Sequence, residues 1–107
     1  MKLCSGDLKD YAADTDAYGV TLFFLGVCYT ILEKWQHAES VLGECLRTSW
    51  GRASPHNSAL IYFTRGKQFQ RQCRHEEAIK EFTAAIEEEP DNAYAIFRRG
   101  WSYKVSF

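Results

Sequence analysis

Ala59–Asn92 reads ALIYFTRGKQFQRQCRHEEAIKEFTAAIEEEPDN, and its spacing decides the fold. Ala78, Ile79, Phe82, Ala85 and Ile86 fall at i, i+1, i+4, i+7 and i+8, one stripe of an α-helix. Ile61, Tyr62 and Phe69 form a facing stripe earlier in the chain. Between the stripes, Gly66 and Ala78 are small where two antiparallel helices must approach; a larger side chain there would force the axes apart. Pro90 ends the second helix, since it lacks an N–H and disfavours helical geometry at Glu89. Asp91 or Asn92 then caps the next helix.

The same pattern recurs on both sides. Gly26, Gly66 and Gly100 are each followed three residues on by an aromatic, Tyr29, Phe69 and Tyr103. Each is preceded at four residues by a large apolar side chain, Leu22, Tyr62 and Ile96. Ala38 and Ala78 follow the first two glycines by twelve residues, with Leu42 or Phe82 four further on and then Cys45 or Ala85. This spacing resembles the tetratricopeptide repeat, which sets W-x2-L-G-x2-Y, A-x3-F and P in a unit of about 34 residues. The resemblance covers residues 17 to 107: units at 19–52 and 59–92 and a half unit at 93–107. The first unit departs at its end, where Trp50 stands at the proline position.

The expected fold is therefore all-α: stacked antiparallel hairpins in a tetratricopeptide-like solenoid. Five helices are expected, at about 16–31, 35–48, 58–71, 75–88 and 92–105. Gly26 and Gly66 stand further apart than Gly66 and Gly100, so the phase slips between the first two units. The polar run at 53–58, with Pro55, lies in that interval and reads as an inter-repeat loop. Residues 1–15 fit neither half of a repeat and are expected to form a partly ordered extension, with a short helix at Asp7–Ala12. Phe107 falls half-way through a unit and a stack needs about three, so a truncated product or an excerpt of a longer stack stands as an alternative to a complete protein.

The resemblance implies that the first helix of each unit lines a groove that takes a peptide or a partner helix. Its second, fifth, sixth and ninth positions are Val20, Phe23, Phe24 and Val27; then Leu60, Phe63, Thr64 and Lys67; then Tyr94, Phe97, Arg98 and Trp101. Such a groove is apolar at one end and aromatic and basic at the other. The segment from Leu60 to Arg74 is basic through Arg65, Lys67, Arg71 and Arg74, whereas the following helix holds Glu76, Glu77, Glu81, Glu87, Glu88 and Glu89 against Lys80. A groove lined by the first would attract acidic ligands, although solvated faces alone account for the same charges. The family's carboxylate clamp for chaperone tails would place polar or basic residues at Phe23, Val27, Thr64, Tyr94 and Arg98, and only Arg98 fits. The groove aromatics would form a large apolar patch unless residues 1–15 or a second copy of the chain covers them.

Other functions find little in the residues. A formal net charge of −1 lacks the basic excess of a nucleic-acid binder. The apolar run Gly19–Leu32 is shorter than the ~20 residues a bilayer needs. The four cysteines form no CxxC pair and the three histidines lie far apart, so no metal and no cofactor is expected. Reduced thiols in a cytoplasmic protein are the favoured reading of the cysteines. No nucleophile motif, phosphate loop or shielded carboxylate pair points to an enzyme. The sequence thus predicts a protein–protein interaction scaffold or adaptor, or else a structural fragment of a longer solenoid that self-associates or lacks an independent ligand.

Overall fold

The computed structural model describes residues 16–106, and all six helices among them pack side by side. They are α1 (Asp16–Ile31), α2 (Trp35–Arg47), α3 (Ser49–Arg52), α4 (Pro55–Arg71), α5 (His75–Glu88) and α6 (Ala93–Ser106). Helices α1/α2 and α4/α5 form two hairpins, and α6 packs on α5. The extension expected at residues 1–15, with its short helix at Asp7–Ala12, lies outside the described residues.

The two hairpins turn in the same way. Glu33 and Cys73 both adopt φ 61, the left-handed conformation that reverses a chain after a helix. Glu33 N–H bonds to Thr30 O at 3.1 Å and Lys34 N–H to Tyr29 O at 2.9 Å; the second turn repeats this with Cys73 to Gln70 O at 3.0 Å and Arg74 to Phe69 O at 2.9 Å. Each turn then opens its second helix through the Ala38 or Ala78 N–H, bonded to Lys34 O or Arg74 O at 3.0 Å. The hairpins also touch at the same place. A methyl group on Gly26 would lie 2.6 Å from Leu42 Cγ, and one on Gly66 would lie 2.5 Å from Phe82 Cε1. Leu42 and Phe82 are wholly buried, so both glycines mark points of closest helix approach. Around Gly100 a methyl would meet nothing within 4 Å among the described residues.

The core follows the stripes. Leu42, Cys45 and Ile61 form one cluster with Leu22, Phe23, Leu46 and Trp50 against it, and Phe69, Ala78 and Phe82 form another with Phe63. Three small residues, Ala59, Ala85 and Ala95, let α4, α5 and α6 meet closely. Of the two residues offered as the cap of the last helix, Asn92 performs it: its Oδ1 accepts from Ala95 N–H at 3.1 Å.

The connection between the hairpins differs from the expected loop at 53–58. Residues 49–52 form α3, and α4 begins at Pro55, leaving only Ala53 and Ser54 between helices. The polar residues that suggested a loop serve as helix caps. Thr48 Oγ1 donates to Cys45 O at 2.6 Å and accepts from Gly51 N–H at 3.0 Å, closing α2 and opening α3. Ser54 Oγ accepts from Asn57 N–H, with Pro55 in the first turn where its missing N–H costs nothing. Asn57 Nδ2 and Ser58 Oγ donate to Trp50 O and Gly51 O, satisfying carbonyls of α3. Trp50, at the proline position of the first unit, packs its ring 5.6 Å from that of Phe23.

Candidate functional site

Helices α1, α4 and α6 share one face, and three clefts open along it. The first, of about 220 Å³, lies where all three helices converge and is lined by Val27, Thr30, Ile31, Thr64, Lys67, Arg71 and Arg98. The second, of about 370 Å³, adjoins it through Arg71 and Arg98 and adds Gln70, Phe97 and Trp101. The third, of about 460 Å³, lies at the far end of α4 among His56, Leu60, Phe63, Glu89, Asp91, Asn92, Ala93 and Tyr94.

Four of the twelve groove positions expected from the sequence, Val27, Thr64, Lys67 and Arg98, meet in the first cleft. Phe97 and Trp101 join Arg98 in the second; Leu60, Phe63 and Tyr94 meet in the third. Val20, Phe23 and Phe24 line none of these three. Phe23 is half-buried against the core cluster of Leu42, Cys45 and Ile61, so it is a packing residue as much as a surface one. Thr64 is almost wholly buried, its hydroxyl donating to Leu60 O at 2.8 Å. The outward aromatics are Phe24, Phe97, Trp101 and Tyr94, which are 62%, 72%, 52% and 77% exposed.

The basic residues of the segment 60–74 divide into two sets. Arg65 reaches the second helix of its hairpin, with Nε 3.2 Å from Glu81 Oε1. Arg74 holds Glu77 at 2.6 Å and Glu39 at 3.1 Å and lies over the Phe69 ring, so it ties α2 to α5. Both are engaged within the fold. Lys67 and Arg71, one helical turn apart, instead face the first cleft, joined there by Arg98 from α6. Arg71 Nη1 donates to Thr30 O at 3.0 Å, capping the end of α1, and Nη2 lies 3.4 Å from Glu33. Arg98 Nη1 donates to Gln70 Oε1 at 2.9 Å, and Gln70 Nε2 donates back to Arg98 O at 3.1 Å and Ser102 Oγ at 2.8 Å. Lys67 Nζ sits 5.1 Å from the Phe63 ring centroid and has no carboxylate within salt-bridge distance among the described residues. Burial lowers the Lys67 pKa, and the positive charges of Arg98 and Arg71 lower it further. Arg71 is not among the expected groove positions, although its place four residues after Lys67 puts it on the same helix face.

None of the three clefts is lined by a described cysteine. Burial pushes the Cys45 thiol up to about 12, and it donates to Gly19 O at 3.2 Å, a structural role. Cys28 and Cys73 are exposed free thiols. Among the described residues no group of three or more His, Cys, Asp or Glu is placed to hold a metal, and no helix is long and apolar enough to cross a membrane.

The tetratricopeptide-repeat family model matches residues 59–92. The matched span is the α4/α5 hairpin with its cap, and the α1/α2 hairpin reproduces the repeat's turn and glycine contact in the preceding unit. No curated protein and no solved structure matches the chain. Tetratricopeptide repeats in general mediate protein–protein interaction and are not themselves catalytic.

Proposed function

We propose that the protein is an adaptor that binds an extended peptide or a helix of another protein along the face shared by α1, α4 and α6. The segment bound would be acidic and apolar in character. The observation that carries this reading is the convergence of Lys67, Arg71 and Arg98 on one half-buried cleft beside the exposed rings of Phe97 and Trp101. A cation moved out of water without a carboxylate partner is costly, and an acidic ligand offsets that cost. Glu81 and Glu77 sit on α5 behind this layer, paired with Arg65 and Arg74, and among the described residues Glu33 alone reaches a cation of the first cleft. The exposed thiols Cys28 and Cys73 accord with a reducing, cytoplasmic setting.

The test is a paired charge reversal, Lys67→Glu with Arg98→Glu. It is expected to remove partner capture from cell extract while leaving the thermal melt within a few degrees of the parent. An unchanged set of captured proteins would show that binding lies elsewhere.

One observation favours a second reading. Ile96 and Tyr103 are 45% and 47% exposed on α6, and nothing packs where Gly100 invites a close neighbour. That face suits a further helix, from a longer stack or from a second copy. Light scattering at several concentrations separates these, since a strict monomer excludes self-association.

A further inference from the structure

We propose that the cleft between α1, α4 and α6 receives a phosphorylated side chain of the partner, with an apolar side chain of the same segment seated against Phe97 and Trp101. The inference rests on the groove reading above and narrows it to one ligand chemistry.

Charge is the first argument. Lys67, Arg71 and Arg98 bring +3 to the cleft, and Glu33, paired with Arg71, brings −1, a balance of +2. Neither Lys67 nor Arg98 makes an ion pair with any described residue. One carboxylate would leave the cleft positive; a phosphomonoester, near −2 at neutral pH, matches it.

Donor geometry is the second. The Lys67 ammonium contacts only an aromatic face, and Arg98 uses only Nη1, leaving Nε and Nη2. These donors, on two helices, suit an acceptor with three oxygens better than one with two. Burial also disfavours the Lys67 charge in the unliganded protein, and an entering dianion would reverse that.

Size and surroundings are the third. A cleft of about 220 Å³ admits the end of a side chain, below the roughly 300–1,000 Å³ of small-molecule sites. The adjoining cleft shares Arg71 and Arg98 and is walled by exposed Phe97 and Trp101, one helical turn apart. Three cations meet in this one cleft on a chain of net charge −1, without the basic excess of a protein that tracks a nucleic-acid backbone or an anionic bilayer.

The experiment uses three fluorescent nonapeptide pools with the same randomised flanks and a central phosphoserine, glutamate or serine. Each is titrated by anisotropy into the wild-type protein and into Lys67→Met, Arg98→Gln and Lys80→Met, the last on α5. The phosphoserine pool should bind at least about tenfold more tightly than the glutamate pool. Lys67→Met should erase most of that preference, and Lys80→Met should leave it intact. Arg98→Gln, on a half-buried and not a core side chain, must show the same loss, and it carries the test should Lys67→Met melt early. Equal binding of the phosphoserine and glutamate pools overturns this inference and leaves the groove reading standing. Failure of all three pools overturns both. Competition at lower concentration by phosphoinositide-containing vesicles or by polyuridylate than by unlabelled phosphoserine peptide would also overturn it, assigning the cleft to a lipid or to RNA.

Discussion

Gly26, Gly66 and Gly100 occupy one position of the repeat, yet alanine at the second and third should act with opposite signs. Replacing a helical glycine by alanine gains about 1 kcal/mol from backbone entropy and propensity. At Gly66 the new methyl would lie 2.5, 2.7 and 2.9 Å from three ring carbons of Phe82, where carbon atoms normally keep about 3.5–4.0 Å. The overlap is therefore about 1 Å. Phe82 is wholly buried, with the Phe63 ring at 5.8 Å, so it has no room to turn and the helices must separate. Overpacking of this kind costs about 1–3 kcal/mol, and the excess over the propensity gain leaves Gly66→Ala destabilised by up to about 2 kcal/mol. Around Gly100 nothing lies within 4 Å, so the propensity gain stands alone and Gly100→Ala should be stabilised by about 1 kcal/mol. Gly43, in α2 of a complete hairpin, also has nothing within 4 Å and is the internal control.

Thermal unfolding followed by circular dichroism in the far ultraviolet reads the outcome, at roughly 4–8 °C per kcal/mol for a domain of this size. Gly100→Ala and Gly43→Ala should rise by about 4–8 °C, and Gly66→Ala should fall, by up to about 16 °C. Gly26→Ala should fall less than Gly66→Ala, because the Leu42 side chain it meets turns more easily than a ring. A rise for Gly66→Ala equal to that of Gly100→Ala would refute the close approach of α4 and α5, and with it the physical basis of the repeat.

Three further outcomes follow from single residues. Cys73 holds a left-handed conformation that costs a non-glycine residue roughly 1–2 kcal/mol, so Cys73→Gly should raise the urea midpoint by the equivalent of about 1 kcal/mol. Ala78 is fully buried between α4 and α5, so Ala78→Arg should cost more than about 4 kcal/mol and abolish the cooperative melt of that hairpin; an unchanged helical signal and melt would contradict the packing. Burial raises the Glu81 carboxyl above its ordinary 4.5, against the opposing pull of Arg65. The folded state then holds a proton that the unfolded chain releases, so this contribution favours folding at low pH and is lost as pH rises from 4.5 through the raised value. Glu81→Gln should flatten that part of the stability profile, and a parallel profile would rule the effect out.

The hairpins were legible because their defining contacts are local. Gly66 and Phe82 belong to one repeat unit, and a period read along the chain already places them face to face. The loop expected at 53–58 fails for an equally local reason. Ser54, Pro55, Asn57 and Ser58 have the composition of a connection, but serine before proline is also how a helix starts. Deciding between the two needed the carbonyls of Trp50 and Gly51, which take the Asn57 and Ser58 side chains only once α3 has formed. Likewise, no residue type announced the left-handed turns at Glu33 and Cys73, where glycine would have done so.

The basic cleft shows where local reading stops. A charge count along the segment 60–74 gives four equivalent cations on one helix and its turn. Their division depends on partners in three different elements. Arg65 is taken by Glu81 of α5, and Arg74 by Glu77 of α5 and Glu39 of α2. Arg71 reaches back to Thr30 and Glu33 at the end of α1, a contact between the two hairpins. Sequence spacing puts Lys67 and Arg71 on one face of α4, whereas the contact of Arg71 with Thr30 and Glu33 and the approach of Arg98 from α6 depend on packing between helices.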